Sequence, residues 1–238
     1  MPTNLPSSAF DSISDAIKAF EAGSFIVVLD SPSRENEGDL IISATALTTS
    51  KCAFMLHHTS GYVCAPMPAS RALALALPPQ VSPSQNRDPN ATAYTVSVDA
   101  DHSSISTGIS AHDRALTCRL LGTKGARKEG FRRPGHILPL VAREGGVRER
   151  MGHTEAAVEF CRLSGRGDVG VICELVEGGE EVDGVPERSG AGMMRGKRCV
   201  EFARKWGLKI VTIEALREFV EQQEVNEGDE KASNGVSL

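Results

Sequence analysis

Residues 24–47 read SFIVVLDSPSRENEGDLIISATAL, in which two apolar runs flank a polar segment that carries several acidic residues. The first run is rich in β-branched residues, which is typical of a short buried strand. If the polar segment is extended, Glu35, Glu37 and Asp39 point to one face at intervals of roughly 6.6–6.8 Å. The stretch therefore predicts a core strand followed by three carboxylates that the flanking apolar runs tie to the core.

The rest of the chain mixes helical and extended patterns without strict alternation. Apolar residues at helical spacing, with Ser12 or Ser14 and Ser110 as candidate caps, predict helices. This mixture predicts the α+β class, with a single three-layer α/β/α domain and a mixed, twisted sheet. The predicted helices cover residues 11–23, 48–56, 71–77, 109–122, 153–165, 200–207 and 214–224, and the predicted strands cover 24–30, 61–67, 93–100, 136–142, 168–179 and 208–213.

The predicted domain spans residues 9–224. Residues 1–8 are interpreted as a flexible arm, and residues 225–238 as a disordered tail because they are polar and carry few large apolar side chains. The pattern is irregular between residues 180 and 196, and the Gly- and Glu-rich residues 177–188 are predicted to form an exposed insertion.

Composition excludes several classes of protein. The chain has 238 residues, 40% of them hydrophobic and 24% charged, which is ordinary for a soluble domain. Its net charge of -5 argues against a nucleic-acid binder or a membrane-surface protein, since both need a basic face. The N-terminus lacks the features of a signal or transit peptide. The six cysteines form no CxxC pair, so we expect reduced thiols and a cytoplasmic protein.

The acidic segment has two interpretations. Three carboxylates on one face repel each other, and a hard divalent cation such as Mg²⁺ would offset that cost while keeping waters for a substrate. The alternative is a solvated acidic turn, which is common on protein surfaces. The apolar runs on both sides favour the metal site, because they hold the segment against the core.

A second motif, Arg150-Met-Gly-His-Thr-Glu155, opens a predicted helix. Free backbone N–H groups together with Arg150 and Thr154 would suit a phosphate, and His153 could bind a metal. The alternative is a Thr cap with a structural histidine. Residues 104–110, SISTGIS, also enter a helix, where they would either hold phosphate or sugar oxygens or act only as a cap.

Three further side chains have both a structural and a functional interpretation. His136, after a Pro-Gly pair, is either structural or an acid–base group. Glu174, inside an apolar run, either points outward from an edge strand or is a desolvated base with a raised pKa. Cys64 is either core filler or a thiol that lines a pocket.

Seven motifs occur in the order RENEGDLI, HTSGYVCAPM, STGISAHDRA, RPGHILPLVAREGGV, GHTEAAVEFCRLSG, GVICEL and FARKWGLKIVTI. This ordered set, over about residues 11–220, resembles the 3,4-dihydroxy-2-butanone 4-phosphate synthase family of riboflavin biosynthesis. The resemblance implies a lyase that converts D-ribulose 5-phosphate into L-3,4-dihydroxybutan-2-one 4-phosphate and formate. It also implies dependence on Mg²⁺, with Mn²⁺ as a substitute, and a homodimer with active sites near the subunit interface.

The resemblance further assigns roles to residues of this sequence. Glu35 and His153 would bind metal. The phosphate would be held by Arg150, Thr154 and Thr107, and the sugar by Arg34, Asp39 and Glu174. His136, Glu37, Asp30 and Cys64 match further active-site positions. In the implied chemistry Asp39 or Glu37 removes a proton alpha to the ketone, and Glu174 or His136 protonates the departing hydroxyl.

The sequence departs from the family pattern in the residues before the Arg-Glu pair, where Ser31-Pro32-Ser33 replaces a more acidic stretch. Many relatives carry a fused GTP cyclohydrolase II domain with a cysteine zinc site, and the cysteine spacing here lacks that site, so a monofunctional enzyme is expected. Two other hypotheses remain at this stage: a different Mg²⁺-dependent sugar-phosphate lyase or isomerase, and a nucleotide- or RNA-binding module.

Overall fold

The computed structural model describes residues 5–234. Seven strands form one mixed sheet in the order β4-β5-β3-β6-β2-β1-β9, and two more form a separate hairpin, β7-β8. The β1/β9 and β3/β5 pairs are parallel and the other pairs of the main sheet are antiparallel. The strands are β1 Ile26–Leu29, β2 Gly38–Ser43, β3 Cys64–Met67, β4 Val98–Ala100, β5 Phe131–Val141, β6 Gly170–Glu174, β7 Val176–Glu181, β8 Arg188–Met193 and β9 Lys209–Thr212.

Helices cover both faces of this sheet. On one face the buried side chains of α1, α5 and α7 pack on alternate residues of the central strands, such as Val28 and Ile41. On the other face α2, α3, α4 and α6 pack on the intervening residues, such as Val27 and Leu40. The helices are α1 Ile13–Glu21, α2 Thr49–His58, α3 Ala69–Ala74, α4 Ala111–Gly122, α5 His153–Leu163, α6 Lys197–Lys205 and α7 Ile213–Asn234. The predicted three-layer α/β/α arrangement with a mixed sheet is therefore confirmed.

Burial on both faces explains why the central strands read as continuous apolar runs rather than as alternating patterns. Every residue of β1 and β2 is buried. The caps are those that the sequence suggests, since the hydroxyls of Ser12 and Ser110 accept hydrogen bonds from the backbone N–H groups of Asp15 and Asp113. Within residues 5–234, none of the helices combines the length and apolar character that a membrane crossing needs.

The end of the chain differs from its prediction. Residues 225–234, expected to be disordered, continue helix α7, and residues 235–238 lie outside the described part. Residues 221–224, Glu-Gln-Gln-Glu, are good helix formers and carry α7 past Val220, the last buried side chain among those described in this helix. The composition of residues 225–234, which include Gly228 and several Asn, Asp and Ser residues, does not explain the further turns. At the other end, the predicted arm includes the start of a 3-10 turn, Ser7–Ala9, and residues 1–4 lie outside the described part.

Two internal segments are also more regular than predicted. Residues 176–193 form the β7-β8 hairpin, which is exposed as expected of an insertion but is not irregular. Its glycines and acidic residues hide the strand pattern, since the pairing depends on local hydrogen bonds rather than on an apolar face. Strand β5 begins at Phe131 rather than at His136, because Phe131 and Arg132 pair with Ala100 and Asp99 of β4.

Candidate active site

A pocket of about 100 Å³ lies where the start of α5 meets the ends of β2, β3 and β6. Its walls bring together residues that are far apart in the sequence, so the acidic segment near residue 35 and the imidazole of His153 converge in space. Eight of the predicted site residues line it: Arg34, Glu35, Glu37, Asp39, Cys64, His153, Thr154 and Glu174.

Asp30, at the end of β1, organises the acidic segment. Its carboxylate accepts hydrogen bonds from the backbone N–H groups of Glu35 at 3.0 Å and Glu37 at 2.8 Å. The chain therefore wraps around Asp30, and Asn36 takes a left-handed conformation with φ 54°. Residues 35–37 are not extended, since β2 begins only at Gly38, so the condition for three carboxylates on one face of a strand is not met. The turn instead directs Glu35 and Glu37 into the pocket with Asp39.

Two arginines compensate part of the negative charge. Nη1 of Arg34 lies 2.8 Å from Oδ2 of Asp30 and 2.5 Å from Oε2 of Glu35. Nη2 of Arg195, which follows the hairpin, lies 3.3 Å from Oε1 of Glu37. Asp30 itself does not line the pocket, because its side chain is fully buried beneath the loop. Its contacts make it a scaffold for the loop, and a catalytic role for it stays a prediction.

The carboxylate of Asp39 is buried without a full set of hydrogen-bond partners. Its Oδ1 is buried and has no hydrogen-bond partner among the described residues. Burial, reinforced by the nearby charges of Glu174 and Glu35, raises the pKa of Asp39 well above its usual value. Burial also raises the pKa of Glu37. A carboxylate in such surroundings is a stronger base than one in water, and it binds a cation readily.

The imidazole of His153 is fixed in one orientation. Its Nε2 lies 3.1 Å from the carbonyl oxygen of Val28, which can only accept, so the proton is assigned to Nε2. Burial lowers the pKa of His153 to about 4, so the ring is neutral at neutral pH. The Nδ1 lone pair then faces Oδ1 of Asp39 at 3.6 Å, which is beyond hydrogen-bond distance. Two electron-rich atoms are thus held side by side.

This arrangement fits a divalent cation. A carboxylate oxygen without a hydrogen-bond partner and an unprotonated imidazole nitrogen can both bind a metal. In metal sites the other ring nitrogen of a ligating histidine usually donates a hydrogen bond to a protein oxygen, as Nε2 does here to the carbonyl of Val28. No group of three or more His, Cys, Asp or Glu side chains within residues 5–234 forms a ready-made metal cage. Mg²⁺ does not need one, because it keeps several waters and is commonly bound through one or two protein groups plus its substrate.

The start of α5 offers a site for an anion. Gly152 caps the helix without a side-chain hydrogen bond, so the first backbone N–H groups are free, and Thr154 faces the pocket beside them. Arg150 does not line the pocket itself. Its guanidinium lies 2.6 Å from the buried carboxylate of Glu155 and 3.0 Å from both the carbonyl oxygen of Asn90 and the hydroxyl of Thr92.

Glu174 and Cys64 complete the pocket wall. Strand β6 lies between β3 and β2, so Glu174 is on a central strand and not on an edge. Its Oε2 accepts a 2.5 Å hydrogen bond from the hydroxyl of Ser60. Cys64 is 2% exposed, and burial with the nearby charge of Glu174 raises the pKa of its thiol well above the usual value. Of the two interpretations for Cys64, the structure supports a protonated thiol that lines the pocket.

Thr107 and His136 form a second cluster outside this pocket. Nδ1 of His136 lies 2.8 Å from Oδ2 of Asp99, and its backbone N–H donates to Oδ1 of the same carboxylate at 2.9 Å. Gly108 packs so closely on this pair that a Cβ there would lie 2.1 Å from Oδ2 of Asp99. Thr107, which precedes Gly108, and His136 are exposed. Within one chain, Thr107 and His136 therefore lie apart from the pocket.

Sequence reasoning missed the segment 90–94. Residues 90–92 carry no motif and Tyr94 belongs to the predicted strand 93–100, so neither is a candidate from the sequence. Yet Thr92 and Tyr94 line the pocket and the amide of Asn90 donates to Oε1 of Glu35 at 2.5 Å. The bridge between Tyr94 and Leu140 of β5 brings the segment to the site. Such long-range pairing leaves no local signal, because polar loop residues have the same pattern whether they face solvent or a site.

The comparisons with known proteins agree with this site. A model of the 3,4-dihydroxy-2-butanone 4-phosphate synthase family matches residues 14–219, nearly the whole chain. The chain belongs to this family. The family predicted from the ordered motifs is thus confirmed, and with it a lyase of riboflavin biosynthesis.

Fungal relatives match along almost their full lengths. The 3,4-dihydroxy-2-butanone 4-phosphate synthase of Pyricularia oryzae is 57% identical over 93% of this chain and 94% of the relative. That of Schizosaccharomyces pombe is 48% identical over 88% of this chain and 97% of the relative. The crystal structure of a synthase of this family in complex with two magnesium ions is 57% identical, with a TM-score of 0.89 over 90% of this chain and 99% of that one.

Proposed function

We propose that this member of the family converts D-ribulose 5-phosphate into L-3,4-dihydroxybutan-2-one 4-phosphate and formate. The convergence of the acidic loop, His153 and the start of α5 on one pocket carries the proposal, because a sugar phosphate needs an anion site beside a site for proton removal. The two products contain all the atoms of the substrate, so the reaction needs no oxidant and no co-substrate.

The proposed cofactor is Mg²⁺, for which Mn²⁺ can substitute. Glu35 and His153 would hold it, with Asp39 beside them, because they supply carboxylate oxygens and the unprotonated Nδ1. When bound, the ion acts as a Lewis acid that stabilises negative charge on the adjacent substrate oxygens. The magnesium ions of the related synthase support this proposal.

Proton transfer is assigned to the carboxylates of the pocket. Asp39 removes the proton alpha to the ketone, since its raised pKa makes it an effective base. Glu37 is the alternative base, because burial raises its pKa as well. Glu174, on the β6 side of the pocket, protonates the departing hydroxyl. Its hydrogen bond with Ser60 holds the carboxyl group in place for this step.

Binding of the phosphate is assigned to the free N–H groups of α5 with Thr154 and Arg150. Glu155 holds the guanidinium of Arg150 beside the helix, so that a charged donor is available without rearrangement of the chain. This preorganised anchor fixes the sugar carbons against the carboxylates and His153.

Replacing Gly152 by Ala is expected to weaken substrate binding. A Cβ at Gly152 would lie 2.2 Å from Nη1 of Arg150 and 2.8 Å from Oε2 of Glu155, so this pair must move. Loss of one charge-assisted hydrogen bond corresponds to about 1.5–3 kcal/mol, or roughly a 10- to 100-fold rise in KM. Steady-state kinetics with ribulose 5-phosphate would measure it. Gly192→Ala is the matched control, since a Cβ at Gly192 meets nothing within 4 Å, and an unchanged KM in Gly152→Ala would contradict the assignment.

The proposed assembly is a homodimer in which a second copy supplies Thr107 and His136. Both residues are exposed and lie outside the pocket, while Asp99 orients the imidazole of His136 as a paired acid–base group would require. A neighbouring subunit that presents this cluster would bring these two residues to the eight that line the pocket. The proposal concerns the synthase reaction alone, because the family model that matches residues 14–219 is that of the synthase.

The direct test is incubation of the purified chain with ribulose 5-phosphate while formate is assayed. We expect formate with Mg²⁺, none after EDTA, and recovery when Mg²⁺ is added back. Release of a different product, such as an isomerised pentulose phosphate without formate, would show that the pocket serves another sugar-phosphate reaction. Formate production that persists in EDTA would contradict the metal assignment.

A further inference from the structure

The loop of residues 86–92 connects the two ends of the candidate active site. The side-chain amide of Asn90 donates to Oε1 of Glu35 at 2.5 Å, while its backbone carbonyl accepts a hydrogen bond from Nε of Arg150 at 3.0 Å. One residue therefore contacts both the acidic loop and the arginine assigned to the phosphate. No other described residue makes both of these hydrogen bonds.

The loop is built to hold Asn90 in place. The carboxylate of Asp88 accepts from the backbone N–H of Thr92 at 2.7 Å, and the amide of Asn86 donates to the carbonyl of Thr92 at 3.0 Å. Ala91 adopts a left-handed conformation with φ 49°, which is unfavourable for a residue with a Cβ and persists only where neighbours enforce it. The surrounding hydrogen bonds enforce it here.

The contact with Glu35 fixes the orientation of its carboxylate. Arg34 donates to Oε2 and Asn90 donates to Oε1, so each oxygen has one hydrogen-bond donor that fixes it and keeps a further lone pair for a ligand. The amide is neutral, so it orients the carboxylate without adding a positive charge. Hydrogen bonds of this kind behind metal-binding carboxylates typically change metal affinity by 10- to 100-fold.

We propose that Asn90 is a positioning residue that sets the Glu35 carboxylate for the divalent cation and ties it to Arg150. The inference rests on the proposed function in one respect, the role of Glu35 as a metal ligand. Asn90 itself touches neither substrate nor metal in this proposal. Its effect is transmitted through Glu35, so it must be visible in metal binding in the absence of any reaction.

The test is a titration of the full-length chain with Mn²⁺ alone, with free Mn²⁺ followed by electron paramagnetic resonance. Asn90→Ala removes the amide and keeps the backbone carbonyl that binds Arg150, and Asn90→Leu removes the donor while keeping most of the volume. We expect both variants to bind Mn²⁺ about 10- to 100-fold more weakly than the wild type. Gln85→Ala is the matched control, because it removes an exposed neutral amide that lies beside the loop, contacts Ser82 and takes no part in the hydrogen bonds that hold Asn90 or Glu35.

The outcomes separate this inference from the proposed function. Wild-type affinity in both Asn90 variants, equal weakening in Gln85→Ala, or no Mn²⁺ binding by the wild type would each overturn the role of Asn90. Formate release by the wild type is measured in parallel with ribulose 5-phosphate and Mg²⁺. Its absence would remove the proposed reaction, whereas a normal rate with unchanged Mn²⁺ affinity in the variants would remove only the inference about Asn90.

Discussion

Replacing Asp39 by Asn is expected to lower the rate of formate release by about 10²- to 10⁴-fold, the usual contribution of a general base. It is also expected to abolish exchange of substrate protons with deuterated water. The amide of Asn keeps the shape of the side chain, but unlike the carboxylate of Asp39 it cannot act as a base and take up the substrate proton. The exchange, followed by NMR in D₂O, isolates the first step from the later carbon shift.

Stability should respond in the opposite direction. Asp39 buries a carboxylate oxygen without a partner among several other carboxylates, and charge burial of this kind is costly. The Asn variant should therefore unfold at the same temperature as the wild type or a higher one, which separates lost catalysis from lost structure. Glu37→Gln serves as the matched comparison, and retention of exchange in Asp39→Asn with its loss in Glu37→Gln would transfer the role of base to Glu37.

Replacing His153 by Gln is expected to have an effect of similar size by a different route. Gln can still donate to the carbonyl of Val28, but it lacks the unprotonated Nδ1 that lies beside Asp39. Lewis-acid stabilisation contributes several kcal/mol, so we expect a rate loss of about 10³-fold and a marked loss of Mn²⁺ affinity. Formate assays over a range of Mg²⁺ concentrations measure the loss of rate, and titration with Mn²⁺ measures the loss of metal affinity.

His57 provides the control for this substitution, because it is an exposed histidine on α2 that does not line the pocket. His57→Gln should keep the wild-type rate and metal affinity. If His153→Gln keeps both as well, the imidazole is a structural residue of the core, which was the alternative interpretation of the sequence.

The three layers of the fold can be predicted from the sequence because strands that are buried on both faces must be apolar along their whole length. Residues 26–29 are covered on both faces and are apolar throughout, so a strand there is predictable. The hairpin at 176–193 has no such requirement, since most of its residues are exposed. It follows local strand pairing, and this signal is weak in a single sequence.

The site residues that could be predicted are those that stand within short motifs of the sequence. Glu35, Asp39 and His153 occur in motifs that combine charge with apolar flanks, and they meet in the pocket as the motifs suggest. Asp30 and Asn90 act through hydrogen bonds across turns and loops, which only the folded chain defines. The separation of His136 from the pocket is likewise a property of the fold. The long strand β5 places Leu140 in the pocket wall, whereas its residues 131–137 pair with β4 at the edge of the sheet.

The central claim is that the acidic loop and His153 hold the same divalent ion. Anomalous diffraction from a crystal grown with Mn²⁺ tests it most directly, because the signal locates the metal independently of any assumed mechanism. We predict a peak within bonding distance of both the Glu35 carboxylate and Nδ1 of His153. A peak bound elsewhere on the protein, with none between these two side chains, would contradict the account.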